Sequence, residues 1–295
     1  MILPPTVYAD FVLPALMQWR EAGLRTALLT LISTTGQSPR PIGSQLAVAE
    51  NGESCGLITG GCAEGALVLD AIEAIARGES RTELYGEGSR FKDITLPCGS
   101  GLLVYFDVSI TDAEVRHIIA CRDARQPSAM VIAAPGEPVY TRHYLPACRI
   151  VAAGRGPVLA ALAQLAPALD IELIVYTPDQ TFVRGHPLPE PEAFDAALDA
   201  YCALVLVFHD HDFEPPVLLK GLESPAFFIG ALGSRKAHAK RLSVLSDMGA
   251  GAEAVKRIHG PVGLDISAGS PPEIALAIMA QVVQHWRQAI SGATS

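Results

Sequence analysis

The sequence contains no C-x-x-C pair, although it has six cysteines: Cys55, Cys62, Cys98, Cys121, Cys148 and Cys202. Zinc-finger and thioredoxin-like readings therefore lose their support, since both need closely paired thiols. No block of like charges occurs, and Asp and Glu (31) outnumber Lys and Arg (22), for a net charge of −9. That balance disfavours non-specific attraction to nucleic acid, which needs concentrated basic residues. The longest apolar runs reach about ten to fourteen residues, short of the roughly twenty that a membrane helix requires. The opening stretch, "MILPPTVYADFVLPALMQWREAG", lacks a basic region ahead of an apolar core and a small-residue cleavage site, so it does not read as a secretory leader. These absences predict a cytoplasmic protein with reduced thiols, engaging neither nucleic acid nor membrane.

What is present is apolar enough to fill cores: 49% hydrophobic against 18% charged over 295 residues. Disorder is excluded by that composition, and the length predicts two domains. A change of pattern near residue 146 divides the chain into 1–145 and 146–295. The expected class is α/β, with an N-terminal α/β domain followed by a C-terminal Rossmann-like parallel sheet.

In the first half, residues 6–20 read as a helix and 24–33 as a buried strand. The Gly- and Pro-rich 34–44 reads as a loop. "SQLAVAE" and "ESCGLIT" flank Asn51-Gly52, a strong hairpin signal because both turn positions tolerate positive φ. The second strand runs into "GLITGGCAEG" (56–65), and a helix is predicted from Cys62 to Gly78. Cys148 and Cys202 sit in strand-like apolar runs, where a packed thiol is the ordinary expectation. Cys62 differs, because Gly60 and Gly61 free the backbone beside it and the helix start favours a thiolate. Glu64 lies in the first turn, where a carboxylate suits the helix dipole and can cap. Cys98 repeats the theme in "LPCGSGLLVYF", a glycine-rich loop followed by a strand. Residues 79–93 read as a polar stretch, and 108–147 as a strand or two leading to the second domain.

The second half opens with "CRIVAAGRGPVLAALAQLAPALDIELIVYTPD" (148–179), which reads as strand, glycine turn, helix, strand. Pro157 suits the first helical position. Further strands are predicted at 202–208 and 226–234, giving an open parallel sheet whose ligands sit outside the carboxyl ends of the strands. Gly154-Arg155-Gly156 resembles the opening of a dinucleotide fingerprint, but Leu159 replaces the third glycine and Asp179 falls late for a ribose-binding acid. The sheet type is therefore expected without ordinary NAD use. His209-Asp210-His211-Asp212 closes the third strand, either as a polar ligand-edge loop or as a divalent metal site. Gly230, Gly233, Ser234 and Arg235 precede a helix, forming either an anion site or a tight turn with a solvated arginine. Ser270, Pro271 and Glu273 mark a helix start with a capping box. No nucleophile–base–orienter set can be assigned from spacing, so a hydrolase has no residues to carry it.

Several segments in order carry a family resemblance: "PIGSQLAV", "GLITGGCAEG", "LPCGSGLLVYF", "VAAGRGPVLAALAQLA", "HDHDFEPPVL", "FFIGALGSRKAHAKRL" and "IHGPVGLDISAGSPPEIALAIMAQV". Over residues 25–285 the chain resembles the xanthine dehydrogenase accessory proteins, the XdhC/CoxI family. The resemblance implies a chaperone rather than an ordinary enzyme. Such a protein binds molybdenum cofactor as cargo and protects it while a cysteine desulfurase installs the sulfido ligand. It then passes the cofactor to a xanthine dehydrogenase-type molybdoenzyme. A homodimer is expected. By position, Gly60, Gly61, Cys62 and Glu64 match the first motif, Cys98 and Gly99 the second, and Gly230, Gly233, Ser234 and Arg235 the late glycine motif. Gly154, Gly156, His209 and Asp210 complete the expected cofactor-binding set, with Cys62 and Cys98 as thiols at the metal end and the glycine turns with Arg235 at the phosphate end. The chain departs from the family at Ala153-Gly154-Arg155-Gly156, where Gly-Ala-Gly-His is common, and at Ser100, where a glycine is usual. An NAD(P)-dependent oxidoreductase and a sulfur transferase using Cys62 are the alternative readings.

Overall fold

The computed structural model describes residues 8–38, 40–86, 101–134, 136–188, 198–208 and 213–291. The chain separates into two compact units, Met1–Pro146 and Ala147–Ser295.

The first unit contains helices α1 (Leu13–Glu21), α2 (Glu64–Arg77) and α3 (Asp112–Asp123). Its strands are β1 (Thr26–Thr35), β2 (Gln45–Ala49), β3 (Ser54–Gly56), β4 (Arg81–Gly86), β5 (Gly101–Asp107), β6 (Ser128–Ile132) and β7 (Tyr140–Tyr144). Five of them form an antiparallel sheet ordered β3-β2-β1-β5-β4, and β6 and β7 form a separate hairpin. The first six residues of β1, Thr26 to Leu31, are buried, and its apolar residues serve both faces. Ala27, Leu29 and Leu31 pack under Leu67, Val68, Ala71 and Ile75 of α2. Leu28 faces the other way, onto Leu13 and Leu16 of α1 and Val115 and Ile118 of α3. Period-two alternation thus feeds two cores from one strand. Gly52, at φ +93°, turns β2 into β3 as the Asn-Gly signal predicts.

Strands β8 (Arg149–Gly154), β9 (Glu172–Tyr176), β10 (Cys202–Val207), β11 (Phe228–Ala231) and β12 (Ile258–His259) build the second unit's sheet. The order is β12-β11-β10-β8-β9, parallel throughout. Helices α4 (Pro157–Leu165) and α8 (Pro271–Ser291) cover one face. Helices α5 (Glu214–Glu223), α6 (Arg235–Asp247) and α7 (Ala252–Val255) cover the other. This is a doubly wound, Rossmann-like sheet. Its order reverses between β8 and β10, and in such sheets the ligand crevice lies outside the strand ends at that point.

Several elements differ from the sequence-based expectation. β4 arises where a polar stretch was expected, because an edge strand buries little beyond Tyr85 and can carry Arg81 and Glu83. The strand or two expected within 108–147 are present as β6 and β7, but α3 precedes them unpredicted, started by a complete capping box between Thr111 and Glu114. The second hairpin strand stops at Gly56, and α2 begins at Glu64 rather than Cys62. At the start of α8 the carboxylate half of the predicted box forms, with Glu273 accepting from the N–H groups of Gly269 and Ser270, each at 2.8 Å.

Gly154 lets β8 lie beside the end of β10. A Cβ there would stand 2.4 Å from the Val207 carbonyl oxygen, and the backbone has φ +151°. Gly154→Ala is expected to cost about 2 kcal/mol or more, read as a lowered urea midpoint with unchanged slope.

Candidate functional site

In the first unit, register decides which loops share an edge. Leu46 pairs with Gly56, Leu29 with Leu46, Thr35 with Gly101, and Gly86 with Gly101. The ends of β1, β3 and β4 and the start of β5 therefore lie at one end of the sheet. The Gly60–Cys62 turn leaves from that end, and Gly101 is tied to β1 by its N–H donating to Thr35 Oγ1 at 3.1 Å. Cys98 and Gly99 lie outside the described residues.

The turn itself is built around Glu64. Gly60 and Gly61 have φ of +82° and +115°, a region other residues rarely adopt. The Glu64 carboxylate accepts from the N–H groups of Ile58 (3.1 Å), Thr59 (2.7 Å) and Gly61 (2.7 Å), and from the Thr59 hydroxyl. Thr59 Oγ1 in turn accepts from the Ala63 N–H at 2.9 Å, capping a helix whose own N-cap residue offers no side-chain acceptor. Glu64 is only 5% exposed. Burial pushes its pKa up, yet the bonds from Thr59, Gly61 and Ile58 outweigh that and hold it below the ordinary glutamate value. The apex, Gly60 to Cys62, is exposed, and the Cys62 thiol donates to the Thr59 carbonyl at 3.5 Å. The turn thus presents a solvent-facing thiol on a fixed backbone. By contrast Cys55 is buried against α1 and α3, and burial pushes its thiol pKa up.

At the carboxyl edge of the second unit's sheet, Arg155 donates its N–H to the Val207 carbonyl at 3.2 Å. Gly156, at φ +91°, is the N-cap of α4, which no side chain caps. First-turn N–H groups of such a helix suit an anion. β9 stops at Tyr176, and no acid stands at its end. Asp179 follows, and its carboxylate accepts from the Thr181 N–H (2.9 Å) and hydroxyl (2.5 Å). Those bonds, with the nearby Arg155 charge, lower its pKa. Leu159, where a fingerprint would place glycine, is fully buried in the core.

Gly233 (φ +138°) turns β11 into α6, Ser234 Oγ accepts from the Ala237 N–H at 3.1 Å, and Arg235 stands exposed in the first turn. Gly230 lies inside β11, where a Cβ would meet Val262 at 2.4 Å and the Phe228 ring at 2.7 Å. His209 and Asp210 lie outside the described residues. Among the described residues no group of three or more His, Cys, Asp or Glu side chains is arranged to hold a metal ion.

One pair at this edge escaped sequence reasoning. Arg241 (4% exposed) and Glu214 (0%) form a buried ion pair. Arg241 Nε donates to Glu214 Oε2 at 2.8 Å, and Nη2 donates to Glu214 Oε1 at 3.3 Å and to the Leu232 carbonyl at 2.7 Å. The pair ties the first residue of α5 to the β11–α6 turn. The available signal was spacing, since Arg241 stands four residues before buried Leu245 on the same helix face. A cleft lined by Arg20, Arg25, Thr26 and Asp112 opens at the opposite end of the first unit's sheet from Cys62. Its arginines are already paired, Arg20 with Asp112 and Arg25 with Glu50.

Architecture and edge together define a two-unit α/β protein: an antiparallel sheet unit presenting a thiol, and a Rossmann-like unit with glycine turns. The family model described as the XdhC Rossmann domain matches residues 150–282, and that of the XdhC and CoxI family matches 19–86. The molybdenum cofactor insertion chaperone PaoD of Escherichia coli is 30% identical, covering 92% of this chain and 86% of that protein. A Bacillus subtilis protein described as a probable xanthine dehydrogenase component is 22% identical over 92% of this chain and 96% of its own. A crystal structure described as a xanthine dehydrogenase from Bacillus halodurans shares the fold, with a TM-score of 0.75 at 20% identity over 94% of this chain and 96% of that one. The chain belongs to the XdhC and CoxI family.

Glu64→Gln places an amide N–H₂ among N–H donors and is expected to cost about 2–3 kcal/mol at neutral pH. Because Glu64 is depressed in the folded state, its contribution is complete above the unfolded glutamate pKa and is lost as pH falls through the folded value. Urea titrations of wild type and variant should therefore converge in acid. Arg241→Ala leaves Glu214 buried without its cation and should lower stability by about 3–5 kcal/mol in the same assay.

Proposed function

We propose that this chain is a molybdenum cofactor chaperone. It holds the cofactor as cargo, shelters it while a cysteine desulfurase supplies sulfur, and delivers it to a xanthine dehydrogenase-type molybdoenzyme. The observation that carries this reading is the 30% identity with the E. coli molybdenum cofactor insertion chaperone PaoD, which spans both units. The geometry supports it. The cargo is an anionic pterin dithiolene bearing a phosphate, so it needs soft donors for the metal and backbone N–H groups for the anion. In the first unit, Cys62 is the thiol offered to the metal, with Cys98 as a second. Gly60 and Gly61 admit close approach, and Glu64 is a positioning residue that fixes the turn. The second unit offers the uncapped start of α4 at Gly154 and Gly156, and the Gly233-Ser234-Arg235 turn with its exposed cation. Gly99, Gly230, His209 and Asp210 belong to the same proposed set. The protein works as a homodimer in the cytoplasm and has no turnover of its own.

Exposure of the Cys62 thiol favours one second reading, in which Cys62 itself carries sulfur. The sulfane sulfur of a desulfurase persulfide would pass to the Cys62 thiolate, forming a Cys62 persulfide and releasing the desulfurase cysteine as a thiol. Mass spectrometry of the chain during desulfurase turnover decides this, since a chaperone that only holds cargo keeps Cys62 unmodified.

Co-expression with the cofactor biosynthetic machinery, followed by oxidation and pterin fluorescence, tests the main reading. Wild-type protein is expected to retain pterin, and the Cys62→Ala/Cys98→Ala double variant to lose most of it. Absence of pterin in the wild type, or full retention in the double variant, contradicts the assignment.

A further inference from the structure

In the second unit, the buried Glu214–Arg241 pair has a third member. Arg241 Nη1 lies 3.4 Å from His238 Nδ1, one turn earlier on α6. Arginine carries donors only and keeps its proton, so Nδ1 is the acceptor at this contact and the imidazole proton sits on Nε2. Packing holds the same edge of the ring inward. A Cβ on Gly260, just beyond β12, would stand 2.2 Å from Nδ1, with Cγ and Cε1 next at 2.7 and 2.8 Å. The Nε2 edge therefore faces away from the backbone against which the ring packs, and Nε2 has no protein partner among the described residues.

The surroundings keep this ring neutral. Burial first, and the Arg241 charge second, hold its pKa below the ordinary histidine value. The charged and titratable groups around it are Arg241 on α6, Glu214 on α5 and His259 on β12. Glu214 commits both carboxylate oxygens to Arg241. His259 is itself held low, by burial and then by His285 and His238. On the same helix Arg235, Lys236 and Lys240 stand exposed, and the first turn contains no acid. The positive end of a helix dipole disfavours such a set of cations, and a bound anion relieves it.

We propose that His238 is a phosphate-binding residue: its Nε2–H, oriented by the Glu214–Arg241 pair, donates to a phosphate oxygen of the ligand held at the β11–α6 turn. That the ligand is the cofactor cargo rests on the chaperone reading, and His238 adds a named donor to its phosphate end. A neutral donor keeps its hydrogen bond unchanged across neutral pH, whereas an imidazolium would release the anion as pH rises. Glu214 and Arg241 are positioning residues here, setting the tautomer without touching the ligand.

Long-range proton–nitrogen-15 correlation spectra of the full chain, labelled on histidine, read the tautomer directly, with His238 assigned by its absence in His238→Gln. Nδ1 should be unprotonated and Nε2 protonated. Titration with glycerol phosphate, a phosphate monoester, should shift the His238 Nε2 signal. His238→Ala should weaken that binding about fivefold, the weight of one neutral hydrogen bond, while His238→Gln, whose amide N–H can reach the Nε2 position, stays within about twofold of wild type. Between about pH 7.5 and 8.5, where the monoester is doubly ionised, wild-type affinity should be level. A protonated Nδ1, an affinity that falls across that range, or His238→Ala binding as tightly as wild type overturns the proposal. Should His238→Ala fail to fold, the wild-type tautomer and the shift of Nε2 still decide. Pterin retention on co-expression reports separately: phosphate held at His238 without retained pterin contradicts the chaperone reading alone, and retained pterin with His238 silent to phosphate overturns this proposal alone.

Discussion

The turn that presents Cys62 keeps its shape because one buried carboxylate gathers its inward-pointing N–H groups. Two consecutive glycines at positive φ leave the donors of Ile58, Thr59 and Gly61 converging on a point that water does not reach. Converging backbone donors of this kind ordinarily form a nest for a bound anion. Here the anion is part of the chain: Glu64, the first residue of α2, fills the nest from below. The consequence reaches the chemistry directly. The turn has no free donors at those three positions for a phosphate, and what it offers to solvent is the thiol at its apex. A soft ligand on a rigid loop is the result.

A second buried glutamate plays a comparable part in the Rossmann-like unit. Glu214 is also the first residue of its helix, but Arg241 rather than backbone N–H groups provides the partner. Because Arg241 also donates to the Leu232 carbonyl, the pair fixes the turn leading to Gly233, Ser234 and Arg235. Removing one member of such a pair is far costlier than the pair is stabilising, because the other charge stays buried. Outside that pair, the start of α4 has no side-chain cap and Arg235 stands exposed. The first unit thus presents an exposed thiol, and the second, taken by itself, presents glycine turns at the carboxyl edge of its sheet.

Much of the fold was legible in the sequence, and the failures have physical causes. Asn51-Gly52 announced the hairpin, and the apolar runs at 150–153 and 202–208 announced parallel strands buried on both faces. β4 was hidden because an edge strand needs few apolar residues, and α3 because only Val115 and Ile118 are deeply buried. Within the site, the glycines around Cys62 were visible, and so was Glu64 as a first-turn carboxylate. Its inward direction was not, because that depends on where Ile58 and Thr59 point after β3 ends. Glu214 and Arg241 are twenty-seven residues apart, and no local pattern links them. Gly230 carried a phosphate-type signal, while its place in β11 also answers a steric need set by Val262 and Phe228.

The central claim is that this chain carries molybdenum cofactor to an acceptor enzyme. Its most direct test is transfer: cofactor-loaded protein, freed of unbound pterin, is mixed with an apo-enzyme of the xanthine dehydrogenase type and activity is followed. The account predicts that activity appears in proportion to the cofactor carried, and faster than with free cofactor at the same concentration. Equal reactivation by free cofactor, whether or not the chain is present, would contradict it.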